Sequence, residues 1–133
     1  MSQENVEVVR KSLEAFNLGG IEALLRLTPP DCVWYPVAEW LEDPVYRGHD
    51  GARKLVAAFT DNFDDWGWEV HEIRDAGTRV VALTEMTGRI KETGVPISQA
   101  IGIVSSDFRD GLAGEVRFFL TWQQALKVVG LSE

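Results

Sequence analysis

Three residues are of the right type, and in the right local pattern, to do chemistry. Tyr35 closes the run Val33-Trp34-Tyr35-Pro36. A phenol with an ordinary pKa of ~10 donates a hydrogen bond or a proton at neutral pH, so its natural task is to polarise a carbonyl oxygen. Glu85 lies in Thr84-Glu85-Met86, within a long apolar and β-branched run. Buried there, its pKa would rise and suit a general acid or base; on a half-solvated strand it would face outward. His49 follows Gly48 at an expected helix start, where its ring either reaches a cavity mouth and moves a proton or simply crosses the turn. Tyr35, Glu85 and His49 form the expected catalytic set.

The expected ligand-binding wall is Val33, Trp40, Phe59 and Phe119. Trp40 lies beside Glu39 and Glu42 in a long loop, 37–47, where an aromatic can stack on a flat ligand. Trp34, Trp66, Trp68 and Trp122 are expected in the core or at a subunit interface. His71 alternates with Glu69 and Ile73 and reads as a solvated cross-strand residue. Two histidines this far apart lack metal-ligand spacing, so no metal is expected, nor any cofactor. Cys32 is the only cysteine, which excludes an internal disulfide and a cysteine metal cluster; between Asp31 and the apolar pair Val33-Trp34 it reads as an inert core thiol.

The elements that must position these residues can be traced in order. Val6, Val9, Leu13 and Phe16 recur at helical spacing, predicting a helix over 3–18 that Gly19-Gly20 ends; a second, 21–27, stops at Pro29-Pro30. Residues 31–36 read as a strand with Cys32 and Trp34 on one face and Val33 and Tyr35 on the other. Gly48 marks a turn, His49 and Asp50 stand at an expected N-cap, and a third helix is predicted over 51–63. Four long strands follow, over 66–75, 78–90, 95–105 and 112–120, joined by short turns and therefore an antiparallel meander. Gly88 and Gly102 are expected to bend them. Thr121-Trp122-Gln123-Gln124 has the form of a capping box, placing a last short helix from Trp122. The expected fold is α+β: a cone-shaped roll, with a curved, mostly antiparallel sheet around three helices from the N-terminal half and a short C-terminal helix, as one domain over 1–133.

The whole chain of 133 residues can bury roughly two thirds of the surface its unfolded form exposes. No apolar run approaches the roughly 20 residues of a membrane span, and the first residues lack the pattern of a secretory signal, so the expectation is a soluble, cytoplasmic protein. A net charge of −8 with scattered Lys and Arg disfavours nucleic acid as a partner.

Several stretches carry a resemblance: residues 5–27, the strand 31–36, the segment VYRGHDGARKLVAAF, the turn DAGTRVVAL and the ending from Phe108. In this order and spacing they resemble the SnoaL-like proteins of the nuclear transport factor 2-like superfamily. The resemblance implies a conical roll, commonly a homodimer through its open sheet face, with a cavity for small apolar or polyketide-like molecules. Relatives include steroid isomerases, polyketide cyclases, epoxide hydrolases, dehydratases and proteins that only bind or assemble. Tyr35 matches the position where the isomerases keep a proton-moving Asp and many SnoaL-like sequences a His, and Thr121 a position where the latter have Asp. The isomerases' first-helix Tyr falls at Ser12, and 97–104 holds no Asp for their second oxyanion donor. Glu85 and Arg89 match the epoxide hydrolases' Asp-Arg-Asp set poorly. The expected function is therefore a small-molecule binder, acting as a cofactor-independent isomerase, cyclase or hydratase on an apolar carbonyl ligand. Tyr35 would polarise the carbonyl and Glu85 or His49 move a proton. The alternative is a non-catalytic dimeric binding or scaffold protein.

Overall fold

A computed structural model describes residues 2–37, 41 and 43–132. Helix α1 (Ser2–Leu25) buries Val6, Val9, Leu13 and Phe16 and is kinked at Gly20, whose φ of 74° suits glycine, so the two expected segments meet end to end. Strand β1 (Val33–Tyr35) follows, then the two-residue β2 (Tyr46–Arg47), which lies within the expected loop. Helix α2 spans Gly48–Thr60. It starts earlier than expected because Gly48, at φ 69°, donates its N–H to Cys32 O (2.7 Å) and turns the chain at once. Arg47 is the N-cap and gives no side-chain cap, so His49 and Asp50 stand inside the first turn. Phe63, expected in this helix, opens β3 instead.

The meander is β3 (Phe63–Asp75), β4 (Val80–Ile90), β5 (Pro96–Arg109) and β6 (Leu112–Phe119). The sheet order is β2-β1-β6-β5-β4-β3, antiparallel throughout except for the parallel pair β1–β6. The curvature comes chiefly from β3. Its register with β4 shifts between Asp64 and Gly67, opposite Gly88, and again at His71, between Val70 and Glu72. A Cβ at Gly88 would stand 3.2 Å from Asp64 O, so this glycine admits the bulge of its neighbour. Gly102 has a different role from the bend expected of it. A Cβ there would lie 2.4 Å from the Cβ of Ala125, so it lets the last helix, α3 (Trp122–Val128), approach the sheet. Thr121 caps that helix as expected, its Oγ1 accepting from Gln124 N at 3.1 Å.

Side-chain alternation divides the sheet into two packed faces. The concave face sets Val80, Ala82, Met86, Ile101, Ile103 and Val116 against α1 and α2. The convex face sets Val81, Leu83 and Val104 against Ala125, Leu126 and Val129 of α3. Helices α1 and α2 therefore cover one face of the sheet and α3 the other. Helix α1 packs across the concave face, meeting β3, β4 and β6. Among the described residues, no helix is long and apolar enough to cross a membrane.

Candidate functional site

The concave face is lined with aromatic rings. Phe59 of α2 stacks on Trp66 of β3 (centroids 4.8 Å, planes 4° apart), and Trp66 meets Trp68 at 5.6 Å. Trp68 stacks on Phe118 at 6.0 Å, and Phe118 on Trp34 at 6.1 Å. Phe16 of α1 closes against Trp66 edge-on at 5.1 Å. The parity of β1, β3 and β6 produces this row, because Trp34, Trp66, Trp68 and Phe118 all fall on the inward side of their strands.

Two small cavities border the row, of about 60 and about 40 Å³, and share Phe16, Leu24, Trp34, Trp68 and Phe118 as walls. Ser12, Thr28 and Ser105 are the only polar residues among the described ones that line them. Two of these hydroxyls are spent on backbone carbonyls: Ser12 donates to Val8 O and Thr28 to Leu24 O, each at 2.8 Å. No ionisable side chain lines either cavity among the described residues. Trp34 donates its indole N–H to Cys32 Sγ at 3.0 Å, and burial pushes that thiol's pKa up, as an inert core cysteine requires.

Trp66 is different: its Nε1 is buried and has no hydrogen-bond partner among the described residues. Beyond Phe59, an open groove of about 1170 Å³ runs between the C-terminal end of α2 and the far ends of β4 and β5, past Asn62, Met86, Ile90 and Ile97. Phe59 borders both the smaller cavity and this groove, so its ring is the partition between interior and solvent.

Asn17 holds the wall in place from α1. Its Nδ2 donates to Trp68 O (2.7 Å) and its Oδ1 accepts from Trp68 N (2.9 Å), completing the backbone pairing of the edge strand β3. Gly67 permits this contact, since a Cβ there would come within 2.8 Å of Asn17 Oδ1. Sequence reasoning passed over Asn17, because a polar residue near a helix end carries no mark of what it will meet fifty residues later.

The expected catalytic residues are not brought together. Tyr35 faces away from Trp34, on the convex side, with the Arg117 guanidinium 3.9 Å above its ring. It shares a shallow surface depression of about 270 Å³ with Phe119. Val33 lies on the same outward side of β1, paired with Arg47 and Glu115. His49 is engaged through Nε2 with Thr28 O at 2.9 Å, tying the start of α2 to the turn that follows α1.

Glu85 is also convex, bonded by Ser98 Oγ on one oxygen and by His71 Nε2 (2.9 Å) on the other. Of its two expected placements, the buried one would have raised its pKa and the outward one is what the structure has. There the Ser98 hydrogen bond first, and His71 after it, outweigh partial desolvation and hold the carboxyl below its usual range. Among the described residues, Phe59 is the one expected binding residue that reaches the interior. Trp40 lies outside the described residues.

Residues 9–116 match a family model described as a SnoaL-like domain. Solved structures share the fold across almost the whole chain. A protein of unknown function from Burkholderia pseudomallei, described as NTF2-like, is 18% identical over 96% of this chain and 98% of its own, with a TM-score of 0.76. A putative SnoaL-like polyketide cyclase from Jannaschia is 16% identical, covering 99% and 95%, at 0.75. A hypothetical protein with a ketosteroid isomerase-like fold from Catenulispora acidiphila, solved with trimethylamine, is 16% identical, covering 95% and 94%, at 0.73. No curated protein matches the sequence.

Proposed function

Because the chain belongs to the SnoaL-like domain family, we propose that it binds a small, largely apolar molecule bearing one hydrogen-bond acceptor, such as a ketone, in the aromatic interior of the roll. The observation that carries this reading is Trp66. An indole N–H only donates, and leaving it buried and unpaired costs about 1–3 kcal/mol, which an acceptor on a ligand would recover. The stacked rings supply the apolar contact, and the enclosed volume suits a molecule of a few heavy atoms, the size of the trimethylamine in the Catenulispora protein. A larger guest has to displace Phe59 toward the groove.

Capture without turnover is the reading we favour over isomerase, cyclase or hydratase chemistry. A proton-transfer residue must lie within hydrogen-bond reach of the reacting atom. Tyr35 and Glu85 are on the other face of the sheet, and His49 is committed to Thr28. The convex face, where Tyr35 and Phe119 share their depression, is where we expect a second copy to pair, which light scattering tests. The single buried thiol suits a reducing compartment, and the cytoplasm is the proposed place of action.

The test uses cyclopentanone and its hydrocarbon counterpart cyclopentane as paired probes, with binding followed by tryptophan fluorescence and NMR shifts. The ratio of ketone to hydrocarbon affinity should be about tenfold higher in the wild-type protein than in Trp66→Phe, the worth of one recovered hydrogen bond. Tyr35→Phe should keep the wild-type ratio. An unchanged ratio in Trp66→Phe, or a lowered ratio in Tyr35→Phe, overturns the reading.

A further inference from the structure

Three metal-binding side chains converge on the convex face, away from the interior. Glu69 and His71 of β3 and Glu85 of β4 each present one donor atom, and the three atoms lie within 4.8 Å of one another. His71 Nε2 is 2.9 Å from Glu85 Oε1 and 3.8 Å from Glu69 Oε1. Donors around a tetrahedral ion with bonds of about 2.0–2.2 Å stand about 3.3–3.6 Å apart, so the 2.9 Å pair opens slightly and the wider spacings close by up to about 1.2 Å, within reach of side-chain rotation, when an ion enters. The register places Glu69 and Glu85 directly opposite each other on paired strands, with both carboxylates on the same face of the sheet.

The shift of register at His71 brings in the third donor. Val70 pairs with Thr84 and Glu72 with Leu83, leaving His71 unpaired on β3, its ring packed 5.2 Å from that of Trp122. Bulges of this kind re-aim a side chain. Trp122 is itself fixed there by its Nε1 donating to Thr84 O at 2.8 Å. Ser98 Oγ donates to the second oxygen of Glu85, orienting the carboxylate as outer-shell donors do for metal ligands. All three residues reach solvent, so an ion can enter and keep water in its remaining position. The imidazole gives the cluster a nitrogen donor that a solvated acidic patch lacks, and one nitrogen with two carboxylate oxygens selects a first-row transition ion over Mg²⁺ or Ca²⁺.

We propose that Glu69, His71 and Glu85 form a surface site for a divalent transition-metal ion of the Zn²⁺ type. The experiment is calorimetric titration of the chelator-stripped full chain with Zn²⁺, with circular dichroism confirming that each variant is folded. One ion should bind per chain. His71→Ala and Glu85→Gln should each weaken binding by about 100-fold, and Ser98→Ala, which leaves the ligands in place, by about tenfold. NMR should show the His71 ring among the resonances perturbed by Zn²⁺. The proposal is overturned if no Zn²⁺ binds at about millimolar concentration, if His71→Ala binds it as the wild type does, or if Ca²⁺ binds as tightly and is indifferent to His71→Ala, the behaviour of a carboxylate patch.

Discussion

Glu85 is held as a carboxylate by Ser98 on β5 and His71 on β3, with the Ser98 hydrogen bond the larger influence. Its folded pKa therefore lies below the ordinary 4.5, and the sign of the linkage follows. The contribution to stability is present in full above pH 4.5 and is lost as the pH falls through the depressed value. Ser98→Ala removes the stronger donor, so the Glu85 carboxyl should titrate at higher pH in this variant, closer to 4.5, as followed by carboxyl ¹³C shifts. An unchanged midpoint would show that Ser98 does not hold it. Residue types and strand parity were legible in the sequence here: Trp34 and Tyr35 alternate as expected, and Glu85 takes the outward of its two possible placements. Which parity is concave was not legible, because it depends on where α1 and α3 pack, and that reversed the roles of Tyr35 and Trp34. Trp66 was read only as ballast, since an unpaired N–H is visible only when every neighbour is placed.

At the scale of elements, the close contact between α3 and β5 gives a sharp expectation. Gly102→Ala puts a methyl 2.4 Å from the Ala125 Cβ with Thr121 O only 3.3 Å away, so the helix must lift. Overpacking of this kind costs about 1–3 kcal/mol. Ala125→Gly opens the space and carries its own cost of about 1 kcal/mol as a helical glycine. In denaturant titrations the double variant should be less destabilised than the sum of the two singles, by about 1 kcal/mol or more, whereas strict additivity would mean the two positions do not meet. The elements themselves were largely legible, since the stripe on α1, the capping box at Thr121 and the β-branched runs of the meander each carry a local cause. The two-residue β2 was not, because a strand this short exists only through its pairing with β1. The same is true of the early start of α2, which depends on the Gly48 contact with Cys32.

For the whole molecule, the order of assembly follows from the distance between partners along the chain. β4 and β5 pair across a five-residue turn between Ile90 and Pro96, whereas β1 joins β6 across about eighty residues, Val33 against Glu115. Closure entropy rises by about 0.6 kcal/mol per doubling of loop length, so the β1–β6 closure costs about 2.4 kcal/mol more than the hairpin over its roughly four doublings. The hairpins should therefore form the nucleus and the β1 edge should close late. Val81 and Val116 probe the two regions: Val81 is fully buried in β4, and Val116 is buried in β6 opposite Trp34. Truncating either to Ala should cost roughly 1–3 kcal/mol, enough to read a φ-value. In stopped-flow chevrons Val81→Ala should mainly slow folding and Val116→Ala should mainly speed unfolding. The reverse pattern would mean that the aromatic interior around Trp34 organises before the sheet that encloses it, and that the parallel closure, rather than the meander, directs the roll.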